Sequence, residues 1–328
     1  MKTIGWGIIG CGKVTEVKSG PGFQQATHAR LVAVMRRNGA LAADYARRHG
    51  VPKSYDDAEA LLRDPAVDAV YVATPPSSHR TYVLAAARAG KPVYVEKPMA
   101  LDHAECQAMI HACREAGVPL FVAYYRRALP RFLKVKALIE SGAIGEVLLV
   151  TVLLCRRPLP AEVDARALPW RLVPEISGGG LFLDVASHTL DFLDFALGPI
   201  RSAQGCASNH DPRYRAEDLV TGTFVFESGV HGTGAWCFTA AEDRDLVEVL
   251  GTRGRVSFSS FTTEPIVLHT PAGDTAFPIP NPPSVQQPLI QTMVDELNGA
   301  GRCPSTGLTA ARTTWVMDEM LKGYRQRA

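Results

Sequence analysis

Two stretches of this chain carry residue types at spacings that can do chemistry. Glu96-Lys97-Pro98 follows a short β-branched run at 93–96, and the C-terminal edge of a parallel sheet is where such a run presents its last residues to ligand. A lysine there can hydrogen-bond a developing alkoxide, while the neighbouring carboxylate and proline fix its direction. Taken alone, such a lysine is also an ordinary surface residue. Gly178-Gly179-Gly180 leads into Asp184, His188 and Asp191, spaced i, i+4 and i+7, so that on one helix two acids and a base share a stripe. An imidazole titrates at about 6.5 in water, which suits His188 to a hydroxyl proton at neutral pH, and Asp184 can orient the ring or stabilise its cation. The competing reading is a structural helix cap with surface charges. No third ligand is placed for a metal, and none is expected.

A nucleotide-type turn stands at the other end of the chain. Gly10-Cys11-Gly12-Lys13-Val14 follows the first apolar run, where glycines permit a tight turn and close approach to a pyrophosphate lying at the next helix's N-terminus. The third small position of the fingerprint is Thr15, and Gly20-Pro21-Gly22 is expected to interrupt the helix soon after. The alternative to a dinucleotide site is a purely structural glycine turn. Where an acidic residue would hold the ribose hydroxyls of NAD, the second strand ends in Arg36 and Arg37. A guanidinium pairs bidentately with a 2′-phosphate, so this end of the site favours NADP, with NAD as the alternative cofactor. A solvated basic strand end is the competing reading.

These residues need rigid elements to hold them. Apolar, β-branched runs at 3–9, 30–36, 69–74, 93–96 and 120–125 alternate with helical stretches at 40–49, 77–89 and 102–116. Such alternation predicts an α/β domain, a doubly wound parallel sheet covered by helices, with Glu96 ending the fourth strand. Asp102 and Glu105 form a capping box and Gly117 a C-terminal stop for the last of these helices. A helix at 133–141 leads onward. Beyond Gly145 strand-like runs crowd together at 147–154, 219–226, 231–238, 245–250 and 256–258, which predicts an α+β domain with a mostly antiparallel sheet. Helices are expected at 181–197, 285–298 and 308–324, and the proline-rich stretch 278–288 as an ordered connector. The two domains are placed at 1–124 and 125–328.

Composition narrows the partners. At 328 residues, 46% apolar and 21% charged, the chain exceeds what one core usually supports. With 35 basic and 33 acidic residues and no long basic block, a nucleic-acid partner is not expected and a small molecule is. The longest apolar run, 147–155, is too short to cross a bilayer, and residues 1–12 read as strand and turn, so no membrane partner and a cytoplasmic location are expected. Cys11, Cys106, Cys113, Cys155, Cys206, Cys237 and Cys303 form no C-x-x-C pair and read as free thiols.

Together, Gly10-Cys11-Gly12, Thr74-Pro75-Pro76-Ser77-Ser78-His79, Glu96-Lys97-Pro98, Trp170-Arg171 and the stretch 178–191 resemble the glucose-fructose oxidoreductase, inositol dehydrogenase and MocA (Gfo/Idh/MocA) family over nearly the whole chain. The resemblance implies a Rossmann dinucleotide-binding domain, then a substrate and catalytic domain whose open sheet serves as an oligomer surface, in a homodimer or homotetramer. It implies Lys97, Asp184 and His188 as the catalytic residues. Thr74, Pro75, His79, Glu96, Trp170 and Arg171 match positions lining the nicotinamide half of the cofactor site. The implied reaction is hydride transfer between the nicotinamide and a carbinol or carbonyl carbon of a sugar, polyol or related cyclic alcohol. A glycosidase that retains NAD for transient oxidation, and a nicotinamide-binding sensor without turnover, are the other readings. Thr15, Gly20-Pro21-Gly22 and Tyr124-Tyr125-Arg126-Arg127 depart from the family's pattern.

Overall fold

The computed structural model describes residues 1–164 and 166–326, so the last two residues of the expected second domain lie outside it. Its first stretch runs β1 (Ile4–Ile9), a π-helical turn Thr15–Ser19, α1 (Gly20–Gln25), β2 (Ala29–Met35), α2 (Gly39–His49), β3 (Lys53–Tyr55) and α3 (Ala58–Arg63). It continues through β4 (Ala69–Val72), α4 (His79–Arg88), β5 (Val93–Val95), α5 (His103–Glu115) and β6 (Leu120–Val122). The strand order is β3-β2-β1-β4-β5-β6 and every adjacent pair is parallel. Every residue of β1, β4, β5 and β6 is buried, as strands covered by helices on both faces must be. The chain builds outward from β1 in one direction and from β4 in the other, so the C-terminal ends of β1 and β4 flank the point where ligands enter such sheets.

β3 and α3 were not foreseen, so Glu96 follows the fifth strand and not the fourth. Gly20-Pro21-Gly22 does not break the helix: the π-turn, closed by Gly20 N donating to the Thr15 carbonyl, passes directly into α1, whose second residue is Pro21.

The second sheet grows from α6 (Pro130–Glu140), β7 (Val147–Cys155), α7 (Pro174–Ser177), a π-turn Phe182–Ala186 and α8 (Ser187–Leu197). β8 (Ile200–Ser208), β9 (Leu219–Phe226), β10 (His231–Cys237), β11 (Arg244–Gly251), β12 (Arg255–Phe258), β13 (Ile266–Thr270) and β14 (Gly273–Phe277) complete it. The order is β14-β13-β12-β11-β7-β10-β9-β8, with β7 and β10 the one parallel pair among these strands. Val150, Val152 and Leu154 are buried while Thr151 and Leu153 between them are not, the alternation of a sheet with one covered face. Phe132 of α6, Phe192 of α8 and Phe258 of β12 pack edge to face, with centroids 4.9 to 6.2 Å apart.

The last helices are α9 (Gln287–Leu297) and α10 (Gly307–Arg325). Two compact units result: Met1–Leu129 with Pro282–Ala311, and Pro130–Asn281 with the chain from Arg312 onward. The first unit thus draws on a late segment that the sequence reading groups with 125–328. Among the described residues no helix is long and apolar enough to cross a membrane.

Candidate active site

β1 delivers the chain to the glycine turn. Gly10 has φ of +93°, and a Cβ there would sit 2.7 Å from Thr74 Cγ2, so both conformation and space exclude a side chain. Gly12 differs: a Cβ there would meet nothing nearer than the Gly10 carbonyl at 3.8 Å, so this side of the turn is open. The Gly12 carbonyl accepts from Thr15 N at 3.0 Å, Glu16 N at 3.1 Å and Thr15 Oγ1 at 2.8 Å. That starts the helix and leaves first-turn N–H groups, at Lys13 and Val14, without intrahelical acceptors, an arrangement suited to phosphate. The close packing that the fingerprint's third glycine supplies is displaced to Gly20, where a Cβ would come within 2.3 Å of the Thr15 carbonyl oxygen. Arg36 and Arg37 are both exposed just past β2. Burial pushes the Cys11 thiol up to about 11 although the Arg36 charge opposes the rise, which keeps Cys11 an unreactive thiol.

Thr74 and Pro75 follow β4, and the Thr74 hydroxyl is buried without a hydrogen-bond partner among the described residues. An orphaned hydroxyl at this edge is one that a polar ligand satisfies. His79 is buried between loops, with Nε2 2.7 Å from the Thr74 carbonyl and Nδ1 3.1 Å from those of Pro98 and Met99. Burial holds its pKa below the ordinary value even against these carbonyls. The ring therefore braces the end of β4 against the chain beyond β5.

Glu96 is held more firmly still. Its Oε1 accepts from the Tyr71 hydroxyl at 2.5 Å and Gln286 Nε2 at 2.8 Å, and its Oε2 accepts from Lys97 N at 3.1 Å. Tyr94 donates to Gln286 Oε1 at 2.8 Å. Burial, then the Glu96 charge, drives both phenols well above the usual range, so they stay protonated donors. Beside this network Tyr125 lies 5.9 Å from Lys18 Nζ and 5.5 Å from Arg126 Cζ, measured to the ring centroid. Burial raises its phenol, but Arg126, Lys18 and Lys97 outweigh burial and leave it lowered. Tyr71, Gln286 and Tyr125 went unrecognised in the sequence; the doubled Tyr124-Tyr125 was the one signal available.

The second unit organises the other stretch. Glu217, 2% exposed, accepts from Gly180 N at 2.7 Å, and a Cβ on Gly180 would lie 2.4 Å from the Glu217 carbonyl oxygen. The triple glycine is thus shaped by a buried carboxyl that sequence reasoning missed. The helix beyond it opens as the π-turn, so Asp184, His188 and Asp191 do not form the regular α-helical stripe expected. Asp184 Oδ2 accepts from Arg171 Nε at 2.9 Å, and Arg171 lies over the Trp170 ring at 4.3 Å, which brings Trp170, Arg171 and Asp184 together. Asp191, fully buried, accepts from Thr313 Oγ1 at 3.4 Å. The His188 ring, 5% exposed as a residue, lies 6.1 Å from that of Phe261. Among the described residues no group of three His, Cys, Asp or Glu side chains is placed to hold a metal.

A glycine turn at the switch point of a doubly wound sheet, with a braced lysine at the same edge, is the nucleotide half of a two-domain nicotinamide-dependent oxidoreductase. The sequence narrows this class to one family. Residues 4–124 match the Gfo/Idh/MocA oxidoreductase family with its NAD-binding Rossmann fold, and residues 132–257 match the GFO/IDH/MocA C-terminal domain. The chain belongs to the Gfo/Idh/MocA family. It is 40% identical over 317 residues to oxidoreductase P35 of Formosa agariphila, covering 96% of this chain and 97% of that one. It is 32% identical over 315 residues to the 1,5-anhydro-D-fructose reductase of Ensifer adhaerens, covering 92% and 90%. The aldose-aldose oxidoreductase of Caulobacter crescentus, solved with glycerol, superposes with a TM-score of 0.88 at 26% identity, over 100% of this chain and 99% of that one.

Proposed function

We propose that this chain reversibly oxidises a carbinol, or reduces the matching carbonyl, of a sugar, polyol or related cyclic alcohol, with NADP favoured over NAD. The observation that carries the proposal is the bracing of Lys97, whose backbone N–H is fixed by Glu96 within a buried network at the sheet's ligand edge. The names of relatives support the substrate class, since one is a 1,5-anhydro-D-fructose reductase and another an aldose-aldose oxidoreductase. A bound nicotinamide supplies the hydride chemistry. The turn from Gly10 to Val14, with Thr74, fits the dinucleotide: one face of Gly12 is open and the Thr74 hydroxyl lacks a partner among the described residues. Pro75, His79, Glu96, Trp170 and Arg171 shape the nicotinamide half, and Arg36 and Arg37 take the 2′-phosphate. Lys97 donates a hydrogen bond to the oxygen on the reacting carbon and stabilises its developing charge. His188 moves the hydroxyl proton, and Asp184, steadied by Arg171, supports it. Seven free cysteines fit a reducing cytoplasm, and the uncovered face of the second sheet fits a second copy of the chain.

Fluorescence titration with NADPH and NADH, followed by a panel of sugars and polyols watched at the nicotinamide absorbance, tests this reading. NADPH binding tighter than NADH, with net redox on at least one panel member, is expected. No binding of either form overturns it, and tight binding without redox points to a cofactor-retaining glycosidase or a sensor. Lys97→Met is expected to abolish turnover while sparing cofactor affinity; near-normal turnover removes Lys97 from the step.

A further inference from the structure

We infer that Phe261 is a fixed aromatic wall beside His188 that selects cyclic over open-chain substrates, an inference that rests on the proton-transfer role proposed for His188. Phe261 lies in the loop between β12 and β13 and is 41% exposed, although a single exposed aromatic is unremarkable in itself. What sets it apart is how it is held. Asp245 of β11 accepts from both Ser260 N at 3.0 Å and Phe261 N at 2.6 Å, fixing the backbone on which the ring stands. Arg131 of α6, 2% exposed, donates to the carbonyls of Ser259 at 3.3 Å, Glu264 at 3.0 Å and Thr262. Thr189, the residue after His188, meets Ser260 hydroxyl to hydroxyl at 2.8 Å. Three elements thus converge on six residues. Loops whose work is only connection seldom enlist a buried arginine, because its charge must be fully satisfied in the interior.

The ring carried on this held backbone stands 6.1 Å from the His188 ring at 69°, edge on, so its apolar surface borders the group assigned to the proton. An aromatic face carries negative charge density and attracts polarised C–H groups. A pyranose or cyclitol ring offers several such groups on one rigid side, and an open-chain polyol must give up rotamer freedom to do so. The wall therefore favours ring substrates through binding, with the hydroxyl of the reacting carbon directed toward His188.

Saturation-transfer NMR with the cofactor-loaded protein tests this without requiring turnover, using glucose and myo-inositol as ring probes and sorbitol as the open-chain probe. In Phe261→Ala the ring probes are expected to weaken roughly tenfold, the loss typical of truncating an aromatic anchor, and sorbitol less than about twofold. Phe261→Trp is expected to keep ring affinity within about threefold of the parent. Equal weakening of all three probes, no weakening, or a parent protein that prefers sorbitol overturns the inference. NADPH titration of the same samples separates the two levels: normal NADPH binding with unchanged ring affinity sinks the wall alone, whereas no NADPH binding sinks the proposed function and the wall with it.

Discussion

Arg36 and Arg37 are exposed just past β2, and the proposed preference for NADP assigns them to the 2′-phosphate. Replacing both with alanine is expected to weaken NADPH by about tenfold to a hundredfold, the range for losing charge-assisted hydrogen bonds, and NADH by less than about threefold. Paired titrations decide it, since equal losses for the two forms would remove the arginines from cofactor choice. Glu217 makes a different prediction. Burial pushes its carboxyl from 4.5 up to about 7, with the Gly180 N–H and Arg325 pulling down and Asp218 pushing up. Tyr324, whose phenol is itself raised mainly by burial, also feels the Glu217 charge. Because the folded carboxyl holds its proton more tightly than the unfolded one, its contribution is complete below pH 4.5 and is lost as pH rises through about 7. At about 1.4 kcal/mol per pH unit, the parent should lose roughly 3 kcal/mol across that window relative to Glu217→Gln, which cannot titrate. Urea midpoints at acidic and neutral pH check this, and parallel pH profiles for the two proteins would contradict it.

At the scale of elements, the turn after β1 works because the π-turn and α1 pack closely around Gly20. A Cβ there would lie 2.3 Å from the Thr15 carbonyl oxygen and 2.7 Å from the Tyr45 hydroxyl, neither of which can retreat, since the two are hydrogen-bonded to each other at 3.0 Å. Gly50, which ends α2 at φ of +64°, has open space around it. Gly20→Ala is therefore expected to cost about 2–4 kcal/mol and to weaken cofactor binding, while Gly50→Ala costs about 1 kcal/mol and leaves binding alone. Chemical denaturation with NADPH titration distinguishes them, and the reverse ranking would mean that backbone conformation outweighs crowding here. In the sequence the Gly20-Pro21-Gly22 run looks like a break because proline and glycine punctuate helices, and the close approach that explains it exists only in the fold. The central strands were legible for the converse reason: β4, β5 and β2 from Leu31 onward are buried runs rich in valine. β3, β8 and β14 lack that signature because they lie at sheet edges and carry polar or small residues. The same limit applies at the site, where Glu96 and Lys97 could be read locally but Gln286, Glu96's partner 190 positions away, could not.

For the whole molecule, the uncovered face of the eight-stranded sheet poses the remaining question of assembly. The register puts Leu153 of β7 beside Ala235 of β10 and Leu246 of β11, and Leu149 beside Leu250, so apolar side chains from adjacent strands form one patch. Leu246 and Leu250 are 37% and 41% exposed, while Thr221, Thr223 and Thr233 extend the patch with neutral polar groups. At about 4.8 Å between strands, eight strands span roughly 34 Å, and a strand of seven residues runs about 23 Å, a footprint comparable to the approximately 800 Å² per partner of a stable interface. A surface this broad, with its leucines in adjacent rows and Glu248 paired with Arg255 beside them, fits self-association through a two-fold axis, which places the same rows against each other. Leu153→Arg, at the centre, would bring two like charges together across that axis and bury both. Light scattering at micromolar concentration is expected to show the parent as a dimer or larger and the variant as a monomer that still binds NADPH, because the glycine turn lies in the other unit. A monomeric parent would leave this face without its proposed occupant, and a variant that assembles normally would move the interface elsewhere on the chain.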